Sequence, residues 1–140
     1  MFCYEYPRPA VTVDIVVFSG GVPDVLLIQR KHPPFERCWA LPGGFIGMVE
    51  SLETSALREL EEETGVRDVK LTEIGTFGDP FRDPRGRVIT VAYTAIVDKS
   101  LLNIEAGSDA SEAAWFSSTD LPELAFDHSD IIRKALEKFR

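Results

Sequence analysis

The sequence has few cysteines, no long apolar run and no recognisable leader. Its two cysteines, Cys3 and Cys38, form neither a disulfide framework nor the spacing of a metal site. No apolar stretch approaches the ~20 residues of a transmembrane helix. Residues 1–9 contain charges and two prolines, unlike a signal peptide. We therefore expect a protein of a reducing compartment, most simply the cytoplasm, with no membrane partner.

Basic residues are also scarce. The 140 residues include 15 lysines and arginines against 23 aspartates and glutamates, which gives a formal net charge of −8. This balance argues against a nucleic acid or an anionic membrane as the main partner. A small anionic ligand would need a local cluster of positive charge or a metal ion.

The chain has the size and composition of one domain. It shows no repeat, linker or low-complexity segment, and 44% of its residues are hydrophobic. We expect a single domain over residues 1–140. Strand-like segments surround one strongly periodic helix, and a second helix follows at the end. This order predicts an α/β sandwich with a mixed sheet.

Turn residues and capping residues set the predicted element boundaries. The main helix runs from Ser51, an N-cap residue type, to Gly65, where a C′ glycine would end it. Pro42-Gly43-Gly44 is expected to interrupt regular structure before it. The predicted strands cover residues 11–18, 25–30, 39–41, 69–77, 88–97 and 113–116, the loops cover residues 31–38, 78–87 and 99–111, and a last helix begins at Asp127 or Ser129.

The main helix has an acidic ridge, formed by Glu59, Glu62 and Glu63. At ~100° per residue these three lie along one edge of the apolar face, whereas Glu61 points to solvent. Half-buried carboxylates at this spacing repel one another and lose hydration, which would raise their pKa values. A hard divalent cation such as Mg²⁺ or Mn²⁺ would compensate the charge. The ridge therefore predicts a metal site.

The ridge belongs to a longer motif. Gly44 is followed after five residues by Glu50, after seven more by Arg58-Glu59-Leu60, then by Glu62-Glu63 and Gly65-Val66 with one residue before each pair. This pattern resembles the complete Nudix box of the Nudix hydrolases, and no fixed position departs from it. The resemblance implies an α/β/α sandwich with a mixed β-sheet. It also implies metal-dependent cleavage of a nucleoside diphosphate linked to another moiety.

The resemblance implies roles for individual residues of the box. Arg58 would orient the carboxylates, and Glu50 would hold Arg58. Glu59 is either a metal ligand or the general base. The implied ligands of Mg²⁺ or Mn²⁺ are Glu59, Glu62, Glu63 and the carbonyl of Gly43.

The resemblance also implies that a loop acid near Trp115 supplies the base or an extra metal ligand. Two acids precede this tryptophan, Asp109 and Glu112. We prefer Glu112. The alternative is that both are ordinary solvated surface residues.

Three further segments resemble the ADP-ribose pyrophosphatase branch of the family. They cover residues 82–93, 106–116 and 124–128. The resemblance favours ADP-ribose as a small-molecule nucleotide substrate, with AMP and ribose 5-phosphate as products. Two alternatives stay open: another nucleotide, such as an oxidised dNTP or a sugar nucleotide, or a sensor that binds ADP-ribose without cleaving it.

Two expectations bear on these alternatives. The complete set of box glutamates argues against the sensor. The end of the chain at Arg140 is taken to leave no room for a DNA-binding domain.

A homodimer is expected only because many members of the family form one.

Arginines are concentrated in one turn-rich segment. Arg82, Arg85 and Arg87 lie within six residues of a strongly acidic chain. They could form a clamp for phosphate or ribose, with Arg85 and Arg87 on one face of an extended chain. Alternatively, they form a solvated turn and pair with acidic neighbours. Arg30, at the end of a predicted strand, is a further candidate for phosphate binding.

Other side chains have weaker claims on the substrate. His128 could contact it, although a histidine in a first helical turn is more often a local cap or solvated surface. Four aromatic residues could stack on adenine, although packing in the core is the commoner role of such residues. They are Trp39, Phe77, Phe81 and Trp115.

Overall fold

The computed structural model describes residues 2–139, which form a mixed β-sheet with one helix on each face. The elements in chain order are β1 (Ala10–Ser19), β2 (Asp24–Arg30), β3 (Trp39–Ala40), β4 (Gly43–Phe45), α1 (Leu52–Thr64), β5 (Thr72–Phe77), β6 (Val88–Ile96), β7 (Ala110–Ser117) and α2 (His128–Phe139). The strand order is β3-β2-β1-β6-β5, with β4 also paired to β1 and β7 to β2. A single 3₁₀ turn covers Lys99–Leu101.

Strand β1 is the centre of the sheet. It pairs in parallel with β6 along nearly its whole length, and antiparallel with β4 near its start and β2 at its end. Its side chains alternate between two cores. Ile15 and Val17 pack with α1 residues, whereas Val16 and Phe18 pack with α2 residues. Burial on both faces explains the uninterrupted hydrophobic run, and the predicted α/β/α sandwich is confirmed.

Both predicted ends of α1 are confirmed. The Ser51 side chain accepts a hydrogen bond from the N–H of Thr54 at 3.1 Å. Gly65 adopts a left-handed φ of 79°, and its N–H donates to the carbonyl of Glu61. Leu60 is fully buried in the core between α1 and the sheet. These contacts fix the rotation of α1 and therefore which glutamates face the sheet.

The expected interruption at Pro42-Gly43-Gly44 is wrong in part, because Gly43 and Gly44 begin β4. They pair with Asp14 and Val13 of β1. A Cβ atom on Gly43 would lie only 2.1 Å from the Val13 carbonyl oxygen. Glycine is needed here for a close approach of two backbones.

Some predicted boundaries also shift. β7 is longer than the predicted strand at residues 113–116, because β2 pairs with it over almost its full length. β5 begins at Thr72, three residues after the predicted start. Strand partners that are distant in the sequence leave no local signal of where a strand begins or ends. The predicted last helix is confirmed as α2, and its side chains Ile131, Ile132 and Ala135 are buried. No helix within residues 2–139 combines the length and apolar character needed to cross a bilayer.

Candidate active site

A pocket of about 380 Å³ opens where α1, β1 and β4 meet the loops before β6 and α2. Its lining combines carboxylates with arginines and two aromatic rings. The lining residues include Asp14, Arg30, Leu41, Gly43, Gly44, Phe45, Arg58, Glu59, Glu63, Arg82, Asp83, Arg85, Asp109, Phe126 and His128. Opposite charges in one cavity suit a ligand that carries both a phosphate group and a bound cation.

Glu63 is the most buried carboxylate of α1. It is 6% exposed, and its Oε1 accepts a hydrogen bond from the N–H of Gly43 at 2.7 Å. Burial raises the pKa of Glu63 to about 8, the nearby Glu59 and Asp14 carboxylates add to this, and the Gly43 bond only partly offsets it. Within residues 2–139, no lysine, arginine or histidine forms an ion pair with Glu63, although Arg30 lies near enough to interact with it electrostatically.

Glu59 lies beside Glu63 on the same edge of α1. Its side chain is 15% exposed, and its carboxylate packs against Gly44, where an added Cβ would lie 2.6 Å from the glutamate Cδ. Burial raises the pKa of Glu59, while a hydrogen bond from Arg58 at 2.8 Å opposes this. Gly44 is therefore a position where the absence of a side chain makes room for the carboxylate.

Arg58 connects the glutamates of the box. Its Nε donates to Glu50 at 2.8 Å, and its Nη1 contacts Glu59 at 2.8 Å and Glu62 at 3.4 Å. Glu50 also accepts from the Ser55 hydroxyl at 2.8 Å. The Arg58 guanidinium is the main reason that the pKa of Glu50 falls to about 2. The structure thus brings together the two residues predicted to orient the ridge.

The acidic ridge enters the pocket only in part. Glu62 is 45% exposed at its side chain, contacts Arg58 and does not line the pocket. Within residues 2–139, no three His, Cys, Asp or Glu side chains converge into a ready-made metal cluster. The carboxylates of Glu59 and Glu63 beside the Gly43 backbone still form a hard oxygen donor set, and a divalent cation would stabilise the ionised form of Glu63 that burial disfavours.

The arginine loop is largely occupied by internal ion pairs. Arg82 is 3% exposed at its side chain and donates twice to Asp127, at 2.9 and 2.7 Å. Arg85 pairs with Asp83 at 2.7 Å, and its guanidinium also packs over the rings of Phe45 and Phe126. The alternative of a solvated turn that pairs with acidic neighbours therefore describes Arg85, whereas Arg82 is buried and its partner lies 45 residues further along the chain.

Arg87 does not line the pocket, so its predicted place beside Arg85 is wrong. Gly86 between them has a φ of 150°, which breaks the regular extended alternation that the prediction assumed. Arg87 is instead exposed, just before β6.

Arg30 is the pocket arginine that makes no ion pair with a carboxylate within the described part of the chain. Its Nε donates to the carbonyl of Pro34 at 2.7 Å, and its guanidinium lies 5.0 Å from the centre of the Phe126 ring. Burial is the main cause that lowers the pKa of Arg30 and the charge of Arg85 adds to it, whereas the carboxylates of Glu63, Asp83 and Asp109 partly oppose the shift. Its remaining N–H groups are available to an anion.

Of the two loop acids, Asp109 lines the pocket and Glu112 does not. The expectation that Glu112, and not Asp109, is the loop acid of the site is therefore wrong. Glu112 lies within β7 opposite Gln29 and is exposed, whereas Asp109 immediately precedes the strand. The start of β7 at Ala110 decides which acid faces the cavity.

The aromatic side chains that could stack on a base in this pocket are not the four predicted ones. Phe45 and Phe126 line the pocket, and sequence reasoning missed both as ring-stacking residues. Phe126 lies in the segment 124–128 that resembles the ADP-ribose pyrophosphatase branch, which is the signal that could have found it. The four predicted rings do not line the pocket; they are Trp39, Phe77, Phe81 and Trp115.

His128 is buried in the pocket wall at 4% exposure, so the expectation of a solvated or merely capping histidine is wrong. Its Nδ1 accepts a hydrogen bond from the N–H of Leu41 at 3.0 Å. The carboxylate of Asp127, the residue before α2, binds Arg82. Asp127 and His128, at the start of α2, therefore each bind a residue that lines the pocket.

Comparison with known proteins supports the same family. The family model of the NUDIX domain matches residues 8–139. The chain is 43% identical over 128 residues to an ADP-ribose pyrophosphatase of Methanocaldococcus jannaschii, over 91% of this chain and 73% of that protein. It is 37% identical to the ADPR responsive transcriptional repressor NtrR of Acinetobacter baylyi, over 96% of this chain but only 56% of the repressor.

Solved structures agree with the sequence matches. The NUDIX domain of Shewanella oneidensis NrtR, solved in complex with ADP ribose, superposes with a TM-score of 0.89 at 36% identity, over 96% of this chain and 91% of that one. A bifunctional NMN adenylyltransferase/ADP ribose pyrophosphatase of Francisella tularensis, complexed with AMP and a manganese ion, gives 0.84 at 32% identity, over 96% and 43%. The box, the sandwich and these matches together show that the chain belongs to the Nudix hydrolase family and resembles its ADP-ribose pyrophosphatase branch.

Proposed function

We propose that this Nudix hydrolase uses Mg²⁺ or Mn²⁺ to cleave ADP-ribose into AMP and ribose 5-phosphate. One observation carries the proposal: a buried carboxylate, Glu63, shares a pocket with an arginine, Arg30, and neither of them forms an ion pair within 4.0 Å among the described residues. The first suits a cation and the second suits a phosphate. The relatives from Methanocaldococcus and Francisella, both named for ADP-ribose pyrophosphatase activity, support the choice of substrate.

The cation would be held by Glu59, Glu63 and the Gly43 carbonyl, with Glu62 at the exposed edge. When bound, it would neutralise the diphosphate charge and lower the pKa of the attacking water. The manganese ion in the Francisella structure supports this choice of metal.

The chain's own residues would divide the remaining work. Arg58 holds Glu59 in place through the bond at 2.8 Å. Arg30 would bind a phosphate oxygen in a site from which water is partly excluded. A carboxylate must accept the proton of the attacking water, and Glu59 is the candidate in the box. Asp109 replaces Glu112 as the second candidate, because it lines the same pocket.

A hydrolysis panel tests the substrate. Purified protein is assayed with Mg²⁺ and with Mn²⁺ against ADP-ribose, NADH, dinucleoside polyphosphates, sugar nucleotides and dNTPs, and the nucleotide product released from each substrate is quantified by chromatography. ADP-ribose should have the highest kcat/KM. Better cleavage of a dNTP or a sugar nucleotide would overturn the substrate and support the alternative within the family.

A second candidate function is ADP-ribose sensing without cleavage. The Acinetobacter repressor and the ADP-ribose complex of the Shewanella NUDIX domain favour it. The complete set of box glutamates favours the enzyme. Calorimetric binding of ADP-ribose with no turnover at any metal concentration would decide for the sensor.

We also propose a cytoplasmic, single-domain protein that forms a homodimer and binds neither nucleic acid nor membrane. The net charge of −8 supports the absence of polyanionic partners. Exposed apolar side chains near the start of the chain and after β4 support self-association; they include Tyr6 at 73% and Met48 at 73% exposure. Sedimentation equilibrium of the purified chain measures the oligomeric state directly.

A further inference from the structure

A buried polar chain links four elements behind the pocket. The Nδ1 of His128 in α2 accepts the N–H of Leu41 at 3.0 Å. Its Nε2 lies 3.5 Å from Oδ1 of Asp14 in β1. The other oxygen of Asp14 accepts the hydroxyl hydrogen of Thr90 in β6 at 2.6 Å. None of these groups belongs to the box, and His128 and Asp14 are both at most 6% exposed.

The bond to Leu41 fixes the chemical form of the histidine. An Nδ1 that accepts a backbone hydrogen carries none of its own, so the ring is neutral and its hydrogen is on Nε2, facing Asp14. Burial acts in the same direction, because it lowers the pKa of His128. The ring is therefore suited to hold a position, with Nδ1 bonded to the Leu41 N–H and Nε2 facing the Asp14 carboxylate at 3.5 Å.

The segment held by His128 is the one that contains the proposed carbonyl ligand. Leu41 is anchored to His128, the carbonyl of Pro42 accepts from the N–H of Ile15 at 2.9 Å, and the N–H of Gly43 donates to Glu63 at 2.7 Å. Three consecutive residues thus have three separate anchors. His128 holds the start of the segment, and Glu63 holds its end.

The backbone just before α2 shows a second sign of constraint. Phe126 has a φ of 53°, a left-handed conformation that is rare for a bulky residue and costs free energy. From this position its ring meets Arg30, the next residue binds Arg82, and the one after binds Leu41. Strain at a position from which Phe126 and His128 line the pocket, while Asp127 binds the pocket arginine Arg82, indicates a functional requirement.

We propose that His128 is a positioning residue: by accepting the Leu41 N–H, it holds residues 41–43 so that the Gly43 carbonyl and Glu63 can share one divalent cation. The inference rests on the proposed function, since it requires a cation at Gly43 and Glu63. Without the acceptor, a buried N–H loses its partner and the segment is free to move.

Three variants distinguish the contacts of the His128 ring with Leu41 and Asp14 from the contribution of α2 packing to stability. In His128→Asn, the amide oxygen can take the place of Nδ1 and accept the Leu41 N–H. In His128→Gln, the longer amide can reach Asp14, but no acceptor remains at the Nδ1 position. Ile132→Ala removes a buried side chain of α2 that does not line the pocket, and serves as the packing control.

Two measurements test the proposal. Mn²⁺ affinity is measured by titration with electron paramagnetic resonance, and exchange of the Leu41 amide is measured in the metal-free protein by NMR. His128→Gln should bind Mn²⁺ about tenfold more weakly and should exchange the Leu41 amide faster. His128→Asn should retain most of the affinity, and Ile132→Ala should keep wild-type affinity despite a lower Tm. Excess Mn²⁺ should restore kcat in His128→Gln, with KM for the nucleotide unchanged.

Wild-type Mn²⁺ affinity in His128→Gln would overturn the positioning role and leave the proposed function intact. Equal losses in His128→Gln and Ile132→Ala would also overturn it, because packing alone would explain both. If the wild-type protein binds no Mn²⁺, both proposals fail.

Discussion

Two glutamates of α1 that are only two residues apart have opposite environments. Glu63 is buried against Gly43, while Glu61 is exposed. We expect Glu63→Gln to lower kcat by at least about a hundredfold, because the amide keeps the shape and the Gly43 bond but removes a charge that the metal needs. Steady-state kinetics with saturating Mn²⁺ measures this, and circular dichroism checks the fold.

Glu61→Gln is the matched control and should be nearly silent. Similar losses in the two variants would show that the assignment of the acidic ridge is wrong. An unfolded Glu63→Gln protein would show instead that the carboxylate is structural.

Glu63 also sets a pH dependence of stability in the metal-free protein. Its pKa is raised from an ordinary 4.5 to about 8, so between these values the folded state binds more protons than the unfolded chain. The contribution of this group to the free energy of unfolding is therefore complete below pH 4.5 and is lost as the pH rises through about 8. In EDTA, the wild-type Tm should fall more steeply over this range than that of Glu63→Gln.

Added Mg²⁺ should raise the wild-type Tm more at the alkaline end of the range than at the acidic end, because cation and proton compete for the same carboxylate. Differential scanning calorimetry at a series of pH values measures both effects. Parallel Tm curves for the two proteins would show that Glu63 is already ionised in the folded state.

Arg30 is expected to contribute more to substrate affinity than the exposed Arg87. Loss of a charged hydrogen bond to substrate costs about 1.5–3 kcal/mol, or one to two decades in kcat/KM. We expect Arg30→Ala to show this loss with ADP-ribose and to keep wild-type Mn²⁺ affinity. Arg87→Ala, outside the pocket, should stay near wild type. A silent Arg30→Ala would leave the phosphate to the metal and the backbone.

For individual residues, the sequence is enough to locate the side chains whose position depends only on the geometry of their own helix. A helical wheel is enough to place Glu59 and Glu63 at the edge of the buried face of α1. It could not find Asp14 or Phe45, since their place in the pocket depends on the pairing of β1 with β4 and on the approach of α2. The choice of Glu112 over Asp109 failed for the same reason, because β2 sets where β7 begins.

Among the elements, α1 carries the box, and its first turn depends on one exposed cap. Ser51→Ala removes the acceptor for the Thr54 N–H and should lower the free energy of unfolding by about 1 kcal/mol. Urea denaturation measures the loss, and Ser51→Asp, which keeps an acceptor, should restore most of it. Because the site lies toward the other end of α1, kcat should not change. A kcat that falls with Ser51→Ala would show that the first turn also positions the glutamates.

The same helix shows why some elements are easier to predict than others. α1 has a cap, a C′ glycine and a periodic apolar face, and all three signals are local. β4 has none of these, since Gly43 and Gly44 are strand residues only because β1 lies alongside them. A glycine pair that would break an isolated strand is required where two backbones meet closely.

For the whole molecule, the two cores should unfold as one. Leu60 packs between α1 and the sheet, whereas Ile131 packs between α2 and the opposite face, and both are fully buried. Leu60→Ala and Ile131→Ala should each cost about 2–5 kcal/mol. Because the sites lie on opposite faces, the losses should add in the double variant. Urea titrations followed by fluorescence and by circular dichroism should give coincident transitions, and separated transitions would contradict a shared core.

The position of β1 in the centre of the sheet has a consequence for how the protein is made. Ala10 begins a strand whose parallel partner starts at Val88, so a ribosome synthesises the middle of the sheet long before its neighbour exists. Until β6 emerges, the run Ile15 to Phe18 has neither its partner strand nor the α2 core to cover it. Such a run is a template for aggregation, and closing so long a loop is slow. We therefore expect the nascent chain to depend most on a chaperone from the completion of β1 until both β6 and α2 have emerged.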